Sequence, residues 1–111
     1  MTGEELAAQL ECGGVQVLDV RAAAEYDGTG GYPCDPIQGH IPGAVNIDVA
    51  ELAEAGSGLT SLLGERGIDP AARVVCYCHT GSRSAYATAL LVAAGVRAEN
   101  YEGSWHEWSR R

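Results

Sequence analysis

Residues Arg73–Tyr77 (RVVCY) are apolar after the first position, and they run directly into a short polar loop, Cys78-His-Thr-Gly-Ser-Arg83. An apolar, β-branched run of this length reads as a strand at the centre of a sheet covered on both faces, because a half-solvated strand would alternate. The segment that follows, Ser84–Ala94 (SAYATALLVAA), is apolar almost all round, which predicts a buried helix closed by Gly95 at its C′ position. A central strand feeding a buried helix through a tight turn requires a sheet layered with helices.

The rest of the chain repeats that alternation. Val15–Val20, Val45–Ile47 and Arg97–Tyr101 read as further strands. Helices are predicted over Gly3–Glu11, with Thr2 as N-cap and Glu4 and Glu5 in the positive first turn, and over Val49–Ala55 and Leu59–Glu65. Ala22–Asp27 suits one helical turn, and Ser104 would cap a last turn carrying Trp105 and Trp108. Gly28–Gln38 (GTGGYPCDPIQ), with three Gly and two Pro, is an exposed loop. The expected fold class is therefore α/β, a central parallel sheet of four or five strands with helices on both faces. At 111 residues the chain suits one compact domain over 1–111, without internal repeats.

Charge narrows the function. Fifteen acidic residues face seven Arg and no Lys, a formal net charge of -8, so clustered cations for phosphate are missing and nucleic acid is not an expected partner. The same deficit argues against an anionic membrane surface, and no apolar run approaches the roughly 20 residues that span a bilayer. Met1–Leu10 lacks the basic start and apolar core of a signal peptide, so a cytoplasmic location is expected. In that reducing setting Cys12, Cys34, Cys76 and Cys78 point to buried thiols or to chemistry rather than to disulfides.

The chemistry concentrates in Cys78–Arg83. A Gly-containing turn from strand to helix points backbone N–H groups inward at a helix N-terminus, which makes an anion cradle. A cysteine at its first position has its thiolate favoured and becomes a nucleophile. The other reading is an inert buried thiol, but the loop is polar on both sides of Gly81 and lies where ligands bind open α/β sheets, beyond the strand ends. The backbone of His79, Thr80, Gly81, Ser82 and Arg83 would form the cradle, with the His79, Thr80 and Arg83 side chains at its entrance. Cys76, Cys78, His79 and Cys34 also resemble a metal corner. Structural zinc sites pair C-x₂₋₄-C knuckles and only one such corner is present, so neither metal nor cofactor is expected.

Four stretches in order resemble the rhodanese family of sulfurtransferases: Leu18-Asp-Val-Arg21 with Glu25-Tyr26, Gly39-His-Ile-Pro-Gly-Ala-Val-Asn-Ile47, Cys78-His-Thr-Gly-Ser-Arg83, and Tyr101-Glu-Gly-Ser-Trp105 with Glu107-Trp108. The insertion at Gly28–Gln38 is most similar to the C-terminal catalytic half of tandem thiosulfate/3-mercaptopyruvate sulfurtransferases. The resemblance implies that a small sulfur donor, of thiosulfate or 3-mercaptopyruvate type, leaves a persulfide on Cys78, which a thiol, or cyanide in assays, then removes. A protein acceptor is also implied as possible, and the competing reading is a regulatory or sulfur-relay module that receives persulfide from a protein partner. Phosphatases of the same fold place five residues between Cys and Arg; here four separate Cys78 from Arg83, a cradle better matched to sulfur.

Supporting roles follow from the same resemblance. Asp19, Arg21 and Glu25 would brace the scaffold, with Arg21 paired through Glu25. Arg83 either clamps an anionic donor or pairs with Asp19 or another acid. Thiosulfate-specialised relatives carry basic residues where this chain has Thr80 and Glu25, so weak thiosulfate binding is expected. Cys34 is either incidental or a resolving thiol, and Cys12 has no expected role. His40 is expected to orient or pack, His106 to be partly exposed, and Trp105 and Trp108 to pack the core rather than wall the pocket.

Overall fold

The computed structural model describes residues 1–111. In chain order the elements are α1 (Gly3–Cys12), β1 (Gln16–Asp19), α2 (Ala23–Asp27), β2 (Val45–Asn46), α3 (Val49–Ala55), a 3₁₀ turn (Gly56–Gly58), α4 (Leu59–Glu65), β3 (Val74–Tyr77), α5 (Ser82–Ala93), β4 (Ala98–Asn100) and α6 (Ser104–Trp108). All strand pairs are parallel, in the order β2-β1-β3-β4, so the sheet has four strands and β1 and β3 are its centre.

The period-two alternation of side chains divides the core between the two faces. Leu18, Val20, Val74, Cys76 and Cys78 point to one face, where Leu52 of α3, Leu59 and Leu63 of α4, and Ala87 and Leu91 of α5 cover them. Val17, Val75 and Tyr77 point to the other, against Leu6 of α1 and Tyr101 and Trp105 near the C-terminus. Every residue of β3 is buried, which is why its sequence shows no alternation. Trp105 is a core residue, its Nε1 donating to the Ile37 carbonyl at 3.0 Å.

Thr2 caps α1 as expected, in a reciprocal capping box with Glu5. The expectation for α5 needs correction: it starts at Ser82, two residues early, and only one side is buried, at Ser84, Ala87 and Leu91, whereas Tyr86 and Val92 are each 55% exposed. The segment is apolar all round because it is rich in alanine, which favours helix whether or not it is covered.

A buried ion pair fastens the strand ends beneath the loop at Cys78. Asp19 accepts from the Arg21 backbone N–H (2.9 Å), from Nε (3.0 Å) and Nη2 (2.7 Å), and from the Tyr77 hydroxyl (2.6 Å). Arg21 Nη2 also donates to the Gly39 carbonyl at 2.6 Å, and the guanidinium lies 5.2 Å from the Trp105 ring centroid. Arg21 therefore braces the scaffold through Asp19, not through Glu25 as its spacing suggested. No helix is long and apolar enough to cross a membrane.

Candidate active site

Strand β3 ends at Tyr77, so Cys78 is the first residue beyond the carboxyl end of a central strand. The turn to α5 closes through Gly81, which has φ +98°; a Cβ there would lie 2.6 Å from the Glu102 carbonyl oxygen, so only glycine fits. This geometry aims the Gly81 N–H at Cys78 Sγ (3.1 Å), and the first turn of α5 adds the Ser84 N–H and hydroxyl, both at 3.3 Å. Burial alone would push the Cys78 thiol up. The Ser84 hydroxyl and N–H, the Gly81 N–H and the Arg83 charge outweigh it, and the thiol is held below its ordinary value. Cys76, two residues earlier on the same face, lacks this cradle, and burial pushes it up to about 11.

The cradle is narrower than the loop suggested. Of the backbone groups expected to take part, only the Gly81 N–H reaches Sγ, while the Ser84 N–H and hydroxyl, outside the expected His79–Arg83 set, supply two of the three bonds. The available signal was a buried-helix sequence that opens on a polar residue. Thr80 and Ser82 are exposed at the rim.

Arg83 pairs with an acid, and that acid is Glu25: Nη1 to Oε1 is 2.8 Å and Nη2 to Oε2 is 3.1 Å. Burial would raise the Glu25 carboxyl, but the Arg83 fork, the Ala22 N–H and Arg21 hold it below its ordinary value. Glu25 is thus a neutralised partner, not the free negative charge whose repulsion of an anionic donor its position suggested. His79 is buried and its Nε2 lies 2.9 Å from Oδ2 of Asp35, a residue of the Gly28–Gln38 loop that is itself buried. Asp35 also accepts from Arg110 Nη1 at 2.8 Å, and Tyr32 stacks on the His79 ring with centroids 3.8 Å apart. The loop is exposed over most of its length but anchored at Asp35, and His79 serves that anchor rather than an open entrance.

These contacts do not form a metal corner. His79 is turned to Asp35, Cys76 packs in the core, and no cluster of three or more His, Cys, Asp or Glu is arranged to hold a metal ion. Cys12 and Cys34 are exposed. His40 packs against Tyr26, with its Nδ1 2.8 Å from the Tyr26 carbonyl, and His106 lies edge-on to His79.

A difference in thiol reactivity follows. Below neutral pH, Cys78 should alkylate faster than Cys76, the other buried thiol, because its cradle holds its pKa below the ordinary thiol value while burial pushes that of Cys76 up to about 11. Peptide mapping after timed exposure to iodoacetamide checks this, and equal labelling of Cys78 and Cys76 would remove the electrostatic role of the cradle.

The model of the rhodanese-like domain matches residues 2–111. The chain belongs to the rhodanese-like family. SseB of Mycobacterium tuberculosis, provisionally named a thiosulfate sulfurtransferase, is 40% identical over 109 residues, 93% of this chain and 38% of its own length. Mouse 3-mercaptopyruvate sulfurtransferase is 32% identical over 118 residues, 99% of this chain and 40% of its own length. The chain therefore spans about two fifths of the length of these curated relatives. Among solved structures, the human single-domain sulfurtransferase TSTD1 superposes with a TM-score of 0.76 at 29% identity, covering all of this chain and 95% of its own.

Proposed function

We propose that the rhodanese-like domain moves sulfane sulfur through a persulfide on Cys78. The observation that carries the reading is the convergence of the Gly81 N–H, the Ser84 N–H and the Ser84 hydroxyl on Cys78 Sγ, a site built to hold a sulfur anion. The thiolate attacks the outer sulfur of thiosulfate, the S–S bond breaks, and sulfite leaves with the electron pair. With 3-mercaptopyruvate the C–S bond breaks instead, and the pyruvate enolate leaves and takes up a proton. In either case an acceptor thiolate or cyanide then attacks the terminal sulfur and restores the Cys78 thiolate, so both steps balance without a redox partner.

A relay reading keeps the same persulfide but takes its sulfur from a protein. Cys78 is only 1% exposed, which favours a donor that opens the rim on docking. Turnover with cyanide as acceptor, measured with thiosulfate and 3-mercaptopyruvate in parallel, separates the two: a small-donor enzyme turns over with at least one, and a relay with neither.

The same assay tests donor preference. Thr80 is exposed and bears no charge, and the neighbouring cation, Arg83, is already engaged by Glu25. Thr80→Lys should lower the thiosulfate KM by about three- to ten-fold, an advantage that shrinks as salt is raised. An unchanged KM in the folded variant would mean that this position does not set donor preference.

A further inference from the structure

Ser104 is the one non-glycine residue with positive φ, at +55°, and it is fully buried. A serine in this left-handed region carries a backbone cost that glycine would not, so its side chain must return something for the strain. The sequence suggests a helix cap, but Gly103 holds the N-cap position of α6 and no side chain caps it. The Ser104 hydroxyl instead accepts the Cys78 backbone N–H at 3.1 Å and donates to the Tyr101 carbonyl at 2.9 Å.

Neighbouring contacts extend this attachment to both ends of the reactive loop. The Trp105 N–H donates to the Cys78 carbonyl and the His106 N–H to the His79 carbonyl, both at 2.9 Å. Asn100 Nδ2 donates to the Gly81 carbonyl at 3.2 Å, and the Glu102 carbonyl oxygen lies where a Cβ on Gly81 would come within 2.6 Å of it. The chain from Asn100 to His106 therefore grips the loop at Cys78, His79 and Gly81, the residues between which Sγ meets its first N–H donor.

We propose that Ser104 is a positioning residue for the Cys78 thiolate: through the Cys78 N–H it fixes the nucleophile's backbone so that Sγ meets the Gly81 and Ser84 donors. This rests on the reading of Cys78 as the sulfur carrier, but part of its test does not. Ser104→Gly removes the hydroxyl and the strain together, whereas Ser104→Ala removes the hydroxyl and keeps the strain. A shift of even an ångström between a reactive atom and its donors can cost up to about a hundred-fold in rate.

Three readouts are taken for both variants: the pH profile of Cys78 alkylation without any sulfur donor, the rate of persulfide formation by intact mass, and the melting temperature. The expected result is an alkylation midpoint moved to higher pH and persulfide formation about ten-fold or more slower in both variants. Ser104→Gly should melt within about 5 °C of the unaltered protein, since relief of strain offsets part of the two lost bonds. An unchanged alkylation profile in both variants overturns the proposal. So does a loss of rate that simply follows a loss of melting temperature in both, which would assign Ser104 to architecture. Failure of the unaltered protein to take up sulfur from any donor would count against Cys78 as carrier, while the alkylation profiles still decide Ser104.

Discussion

Cys78→Ser should abolish the proposed sulfur transfer, lowering turnover with any donor by at least about a thousand-fold, because a hydroxyl in the same cradle does not ionise near neutral pH and forms no persulfide. The fold should hardly register the change. Serine oxygen still accepts from the Gly81 and Ser84 N–H groups, whose Sγ distances are 3.1 and 3.3 Å, so both buried backbone donors keep a partner and only the Ser84 hydroxyl must share it. The expected stability change is under about 1 kcal/mol. Cyanide-acceptor turnover and a thermal melt on the same preparation check both halves. Residual turnover above about a tenth would place the nucleophile elsewhere, and a large fall in melting temperature would make Cys78 a packing residue first.

Arg21→Met should do the reverse, disabling the domain through its stability. Asp19 is fully buried, and the guanidinium supplies two of the donors that satisfy it; methionine fills similar volume but leaves the carboxylate with the Tyr77 hydroxyl and one backbone N–H. Stranding a buried charge in this way costs about 3–5 kcal/mol. In a domain of this size that lowers the melting temperature by roughly 15 °C. Adding Asp19→Asn removes the stranded charge, so the double variant should be more stable than Arg21→Met alone. If Arg21→Met melts within a few degrees of the unaltered protein, the pair does not hold the strand ends together.

Both effects depend on residues that the sequence picked out, but not always on the partners it suggested. The strands were legible because Val74–Tyr77 and Gln16–Asp19 lie in apolar, β-branched runs, and the loop stood out because Gly81 interrupts a polar stretch directly after one of them. Pairings across the fold were not legible. Arg21 and Glu25 stand four apart and looked like partners, yet Arg21 turns back to Asp19, and Glu25 reaches Arg83, 58 residues away, because α2 and α5 both start from the carboxyl ends of the central strands. Asp35 was hidden in a loop of turn-forming residues, and its role appears only when His79, 44 residues on, is packed against it. Ser84 and Ser104 each looked like helix-end residues; folding turns one hydroxyl to the Cys78 sulfur and the other to the Cys78 backbone.

Mass spectrometry of the intact protein tests the persulfide most directly. After incubation with thiosulfate, with 3-mercaptopyruvate and with a low-molecular-weight persulfide, at least one sample should gain a single sulfur atom, about 32 Da, confined to the Cys78 peptide and removed by cyanide. No gain with any of the three donors, or a gain that persists in Cys78→Ser, would contradict the account.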